Sequence, residues 1–199
     1  MTIYLFGVSN VGKTTTGELL AEKLGYVFYD LDDEVKRYYD MTLEEFVNTG
    51  RLEERDKKRS AVLRKIAEDT REKVVAVAPI TYINYMNGLI RQKDVLAIEL
   101  RDTPENIFDR LVFSDENDVI YRDDEYKYAH MSYYMNDIKE DIQHYGRVWS
   151  ELVKNKFDMQ GEAPSAVVDR LIDEFELDRD FSEEGAAWNG RKKKKKYKT

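Results

Sequence analysis

The sequence lacks cysteine altogether and is poor in histidine and proline, with two and three residues respectively among 199. Without cysteine, the chain can form no disulfide and no catalytic or zinc site that depends on a thiolate. His130 and His144 stand fourteen positions apart, a spacing that suits surface or packing roles rather than a shared metal site. No apolar run reaches transmembrane length, and the chain opens on a predicted strand rather than a secretory segment. These absences favour a globular protein of the reducing cytoplasm.

The charge of the chain is unevenly distributed. It carries 40 acidic and 32 basic residues, and seven of the basic ones lie in residues 191–199. An acidic body disfavours a broad nucleic-acid surface, so we expect no nucleic-acid partner there. Residues 179–199 are predicted to form a loosely ordered, solvated basic tail. Contact of this tail with an anionic partner is the alternative.

Residues 7–14 spell GVSNVGKT and match the phosphate-binding pattern G-x-x-x-x-G-K-[ST], the P-loop. An apolar run precedes the motif and a stretch with helical periodicity follows it, so the motif has the strand, loop and helix context that it requires. Glycines let successive backbone N–H groups point inward, and the helix adds its positive end. We therefore expect a nucleoside triphosphate to bind through Gly7, Asn10, Val11, Gly12, Lys13, Thr14 and Thr15.

Three side chains of this motif have distinct predicted roles. Lys13 would reach the β- and γ-phosphate oxygens, and the Thr14 hydroxyl would bind Mg²⁺. Thr15 would donate to the α-phosphate. The alternative is a glycine-rich turn that merely joins a strand to a helix.

Strands and helices alternate along the chain. Strands are predicted at residues 3–6, 26–29, 74–78, 95–100 and 157–159, and helices at 13–24, 30–39, 43–48, 52–68, 82–91, 104–112, 129–154 and 164–175. This order predicts a three-layer α/β P-loop NTPase fold: a five-stranded parallel sheet with helices on both faces. Residues 1–178 would form one kinase domain. The polar stretch at 113–128 would be its lid, with tyrosines packing it against the body.

Polar residues follow several of the predicted strands directly. Asp30 and Asp32 follow the second strand, and Asp102 follows the fourth. Because ligands bind at the carboxyl ends of parallel strands, these residues are expected to line one crevice with the P-loop. As an alternative, Asp30 and Asp32 would only cap the helix that follows them.

The motifs and their spacing resemble the shikimate kinase family over residues 2–176. The shared features are the D-x-D at residues 30–32, the G-x-x-x-x-R from Gly50 to Arg55, and a segment from Asp102 to Arg110 that is similar to the family's S-P-E…R. The resemblance implies an ATP-dependent kinase that phosphorylates a hydroxyl of a small metabolite, with shikimate as the family's acceptor.

The resemblance also implies roles for individual residues. Asp30 would hold Mg²⁺ through water, and Asp32 would accept a hydrogen bond from the acceptor hydroxyl and act as its base. Arg55 would grip a substrate carboxylate. Arg110 would pack against the adenine, and Arg122 is the candidate phosphate-facing arginine of the lid. The alternatives are a solvated, ion-paired helix face for Arg55 and a plain surface position for Arg110.

Two segments depart from the family pattern. Where the family has a glycine triplet after the third strand, residues 78–81 spell APIT, and Pro79 has no N–H to donate. Where the family has an arginine shortly before a tyrosine in the late helix, Tyr145 follows the acidic pair Glu140 and Asp141. Kinase chemistry is therefore predicted with a rebuilt acceptor pocket. A non-catalytic ATP-binding regulator and a nucleoside or nucleotide kinase are the alternatives.

Overall fold

A computed structural model describes residues 1–81 and 84–178. Its strands are β1 (Thr2–Phe6), β2 (Val27–Asp30), β3 (Lys73–Ala76), β4 (Val95–Arg101), β5 (Phe113–Ser114), β6 (Ile120–Tyr121) and β7 (Asn155–Asp158). Five of them form a parallel sheet in the order β2-β3-β1-β4-β7, while β5 and β6 form a separate antiparallel ribbon. The predicted fold class and its five-stranded sheet are confirmed.

Helices cover both faces of this sheet. They are α1 (Lys13–Leu24), α2 (Leu31–Tyr39), α3 (Leu43–Val47), α4 (Leu52–Glu68), α5 (Asn84–Ile90), α6 (Pro104–Asp109), α7 (Asp124–Ala129), α8 (Met131–Val148) and α9 (Pro164–Phe175). The predicted bounds of α1, α4 and α9 are confirmed to the residue. Within the described ranges, no helix has the length and apolarity needed to span a membrane.

Alternate residues of the inner strands feed two separate cores, because side chains along a strand point to opposite faces. Ile3 and Leu5 pack with residues of α1 and α9 in one core. Tyr4 and Phe6 pack with residues of α2, α3 and α4 in the other. Strands buried on both faces explain why β1, β3 and β4 read as continuous apolar runs.

The long helix predicted at 129–154 is present as α8, but it is shorter than predicted at both ends. It begins only after His130, whose φ of −110° and ψ of 20° lie outside the helical range and separate α8 from α7 of the predicted lid. Helix α8 then ends at Val148, because Trp149 is buried and its indole N–H donates to the Ile80 carbonyl at 3.1 Å. This anchor turns the chain toward β7.

The predicted lid contains more structure than its polar sequence suggested. It forms the β5–β6 ribbon and α7, and ring contacts join them to the body. Phe113 lies 5.8 Å from the ring centres of both Tyr126 and Tyr134, and Tyr128 lies 5.5 Å from Phe108. The tyrosine packing predicted for this segment is thus present. The predicted basic tail at 179–199 and the first two residues of the helix predicted at 82–91 fall outside the described residues.

Candidate active site

The P-loop connects the end of β1 to the start of α1. Gly7 and Gly12 have φ angles of 150° and 109°, which side chains rarely permit. A Cβ on Gly7 would also lie 2.9 Å from the carbonyl oxygen of Leu100. The loop therefore keeps its curled shape only with glycine at these positions. Its amides and the N-terminus of a 12-residue helix form a site suited to phosphate.

Lys13 is the first residue of α1 and folds back over this loop. Its Nζ donates to the Val8 carbonyl at 2.9 Å. Burial lowers the pKa of Lys13, and the negative charges of Asp32, Asp30 and Asp141 oppose that shift. The ammonium group is thus held at the P-loop among carboxylates.

Thr14 and Asp30, the two predicted magnesium ligands, are brought together. The Thr14 hydroxyl donates to Asp30 Oδ2 at 2.7 Å. Asp30 Oδ1 accepts from the backbone N–H of Asp32 at 2.9 Å and caps α2. One carboxylate therefore serves as helix cap with one oxygen and faces the P-loop with the other.

These donors fit magnesium. A hydroxyl and a carboxylate are the oxygen ligands that Mg²⁺ takes, and the ion usually completes its shell with water and substrate phosphates. Within residues 1–81 and 84–178, no group of three or more histidine or acidic side chains has metal-binding geometry. A site completed by phosphate oxygens does not require one.

Asp32 lies in the first turn of α2 beside Lys13 and Arg59. Burial raises the pKa of Asp32, the charge of Arg59 works against that rise, and Asp30 adds to it. The Arg59 Nη2 lies 3.5 Å from Asp32 Oδ1. Asp32 is thus a desolvated carboxylate next to the P-loop lysine, the setting of a group that accepts a proton.

The structure turns Arg55 toward α3, whereas Asp32 lies beside Lys13. The Arg55 guanidinium donates to the backbone carbonyl of Val47, at the end of α3. Arg59, one helical turn later, is the arginine that faces Asp32, and the sequence reasoning missed it. The spacing of the two arginines could have indicated it. Residues four apart share a helix face, so Arg59 was as good a candidate for the site as Arg55.

Arg110 ends α6 and pairs with Asp102. The Asp102 side chain is 1% exposed and accepts from the Arg110 Nη2, from Asn106 Nδ2 at 2.7 Å and from the backbone N–H of Gly161 at 3.2 Å. Burial would raise the pKa of Asp102, but the hydrogen bonds from Asn106, Arg110 and Thr103, together with the charge of Arg110, outweigh it and lower the pKa. Arg110 is therefore not a plain surface arginine. Its partner comes from the loop before α6, so the spacing of residues along the helix could not reveal it.

The sheet order divides these residues into two flanks. The P-loop follows the central strand β1. On one side of it, Asp30 ends β2 and Asp32 lies just beyond, and on the other side Asp102 follows β4. A cavity of about 300 Å³ adjoins the P-loop on the β4 side, and its lining includes Val8, Val11, Asp102, Ile107 and Asp158. The P-loop thus has an arginine flank, with Arg110, and a carboxylate flank, with Asp32.

Of the two segments that depart from the family pattern, the loop at 78–81 contacts α4, and the late-helix segment lies near Lys13. The loop at 78–81 is held by its backbone, since the Ile80 carbonyl accepts from Trp149 and the Thr81 N–H donates to Asp56. Asp141 on α8 is half-buried and close enough to Lys13 for their charges to interact. Arg122 of the lid is exposed.

Comparison with known proteins adds independent information. The family model described as Shikimate kinase matches residues 9–175. The shikimate kinase of Nostoc punctiforme is 24% identical over 180 residues, which cover 87% of this chain and 90% of that protein. The structure of shikimate kinase from Bacteroides thetaiotaomicron has a TM-score of 0.68 at 21% identity and covers 87% of this chain and 97% of its own. The structure of shikimate kinase from Acinetobacter baumannii in complex with shikimate has a TM-score of 0.67 at 21% identity and covers 86% of this chain and 90% of its own.

Proposed function

The chain belongs to the shikimate kinase family, and we propose that it transfers the γ-phosphate of ATP to a hydroxyl of a small metabolite with the help of Mg²⁺. The observation that carries the proposal is the contact between the P-loop and the acidic residues after β2: the Thr14 hydroxyl donates to Asp30 Oδ2 at 2.7 Å, and Asp32 lies close enough to Lys13 for their charges to interact. ATP is the co-substrate that the family implies. The absence of cysteine fits activity in a reducing cytoplasm.

ATP and the acceptor bind on opposite flanks of the P-loop. The phosphates bind the amides of the P-loop, and Lys13 exchanges the Val8 carbonyl for the β- and γ-phosphate oxygens. The adenine packs on the arginine flank, against Arg110. The acceptor enters on the carboxylate flank, where its hydroxyl donates a hydrogen bond to Asp32.

In the transfer, a bond forms between the acceptor oxygen and the γ-phosphorus while the bond from that phosphorus to the bridging oxygen of ADP breaks. The hydroxyl proton passes to Asp32. Mg²⁺ held by Thr14 and Asp30 would neutralise phosphate charge. The protein contributes position and electrostatic stabilisation, which supply most of the catalysis in phosphoryl transfer.

Replacing Arg110 by alanine should weaken ATP binding. Stacking of a guanidinium on an aromatic ring contributes about 0.5–2 kcal/mol, so we expect the KM for ATP to rise roughly 2- to 30-fold. The KM for the acceptor should not change, because the acceptor lies on the other flank. Initial rates over a matrix of both substrate concentrations measure the two constants. Arg71→Ala, at an exposed ion pair with Asp69, is the control, and an equal effect of both variants would refute the assignment.

The nature of the acceptor is tested with molecules of graded charge. The names of the relatives make shikimate the first compound to try. However, Asp141 adds negative charge beside Lys13, and Arg55 is bonded to a backbone carbonyl. We therefore expect glucosamine and glucose to be better acceptors than glucuronate and shikimate, because like charges repel.

The panel is read by ADP release and by the mass of the phosphorylated product. Faster reaction of shikimate would mean that Arg55 leaves the Val47 carbonyl and takes the carboxylate, as the family resemblance implies. Saturable ATP binding with no transfer to any hydroxyl compound, including nucleosides, would instead support the non-catalytic regulator. The altered loop at 78–81 is the observation that keeps this second candidate open.

A further inference from the structure

A buried arginine lies between two carboxylates on the carboxylate flank. The Arg59 side chain is 9% exposed, its Nη2 lies 3.5 Å from Asp32 Oδ1, and its Nη1 lies 3.7 Å from Asp56 Oδ1. The guanidinium also lies 5.2 Å from the ring centre of Phe46. Burial of such a charge is tolerated when partners of opposite sign surround it. The positions of Arg59 and the two carboxylates are therefore interdependent.

Asp56 connects Arg59 to the loop that follows β3. Its side chain is fully buried, and its Oδ2 accepts from the Thr81 backbone N–H at 3.0 Å and from the Thr81 hydroxyl at 2.9 Å. Its Oδ1 faces Arg59. Because the two oxygens face different elements, Asp56 ties α4 to residues 78–81. A shift of this loop would move the Arg59 guanidinium relative to Asp32.

We infer that Arg59 is a positioning residue for phosphoryl transfer, which holds the Asp32 carboxylate at the acceptor hydroxyl and is itself held by Asp56. The inference rests on the proposed function, in which Asp32 contacts the acceptor. The contact with Arg59 uses Oδ1 of Asp32, so Oδ2 can accept the hydrogen bond of the hydroxyl. Arg59 acts through Asp32 and has no contact of its own with the reacting atoms.

The chemistry of arginine suits this role. Its planar guanidinium presents several N–H groups in a fixed fork and can face two carboxylates at once. Lysine keeps the charge but has a single nitrogen, which cannot hold both Asp32 and Asp56 in the same geometry. Arg59→Lys should therefore recover part of the activity that Arg59→Gln loses.

A kinetic double-mutant cycle tests the inference. We would measure kcat and the KM for ATP in the wild-type protein, Arg59→Gln, Asp32→Asn and the double variant, using whichever of glucosamine, glucose, glucuronate and shikimate reacts fastest. Arg59→Gln should lower kcat by about 10- to 100-fold, the usual effect of misplacing a reacting group by about 1 Å, and leave the KM for ATP unchanged. In the Asp32→Asn background the same substitution should have no further effect, because residues that act as a unit are non-additive. Arg64→Gln, at an exposed arginine of α4, is the control.

Each outcome decides the question. Unchanged kcat in Arg59→Gln, or losses that multiply in the double variant, would overturn the positioning role while leaving the proposed function intact. If Arg59→Gln does not fold, the same cycle with Arg59→Lys applies, and independent losses there would be equally decisive. Failure of the wild-type protein to phosphorylate any of the four acceptors would remove both the proposed function and this inference.

Discussion

Replacing Lys13 by alanine should lower kcat by about 10³-fold or more without unfolding the protein. Lys13 is the cation at the P-loop, and preorganised charge that faces the transferred phosphoryl group contributes effects of this size. Its side chain is half-buried and burial lowers its pKa, so removing it should not reduce the melting temperature. Steady-state kinetics with saturating ATP, together with thermal unfolding, measure both effects.

Lys23→Ala is the matched control for this variant. Lys23 lies in the last turn of the same helix, α1, and makes an exposed ion pair with Asp169. Exposed pairs contribute about 0–1 kcal/mol to stability, so neither the rate nor the fold should change appreciably. Normal turnover in Lys13→Ala would contradict the assignment of the P-loop as the phosphate site.

Replacing Asp32 by asparagine should lower kcat by about 10²- to 10⁴-fold, the range that general acid–base catalysis supplies. The amide keeps the size of the side chain but cannot take up the hydroxyl proton. The KM for ATP should remain close to the wild-type value, because Asp32 lies on the carboxylate flank and the adenine is proposed to bind on the arginine flank. One set of initial rates gives both kcat and the KM for ATP. A lower kcat with an unchanged KM indicates that the base is lost, whereas a higher KM indicates damage to the nucleotide site.

Asp33→Asn provides the comparison for Asp32→Asn. Asp33 is adjacent in α2 but exposed, and it pairs with Lys36 at 2.8 Å on the helix surface. Its replacement should leave kcat unchanged. Equal losses in the two variants would mean that the acidic first turn of α2 acts through its overall charge, and the specific role of Asp32 would be abandoned.

Most of the fold could be predicted from the sequence because its signals are local. The glycine spacing of the P-loop, the apolar runs of β1, β3 and β4, and the Thr42 capping box of α3 each depend on residues a few positions apart. The capping box is present in the structure, with Thr42 and Glu45 bonded reciprocally. Alternation of strands and helices then left few possible topologies.

The errors arose where distant residues decide the structure. Trp149 ends α8 through the carbonyl of Ile80, which lies 69 positions earlier. The partner of Arg110 lies in the loop before its helix. Neither contact has a periodicity that sequence reasoning can detect.

On the carboxylate flank, too, some residues could be identified from local sequence signals and others could not. Asp30 and Asp32 were identified from their place after a strand, and the structure puts both beside the P-loop. Choosing between Arg55 and Arg59 required knowledge of how α4 packs against α2, because both arginines lie on one helical face. Asp56 carried no signal at all, since its function depends on Thr81 in a different element.

Calorimetric titration of the protein with ATP in the presence of magnesium tests the central claim, that residues 7–14 hold a polyphosphate. The account predicts saturable heat for one site in the wild-type protein and much weaker binding in Lys13→Ala. No saturable heat with the folded wild-type protein would contradict it.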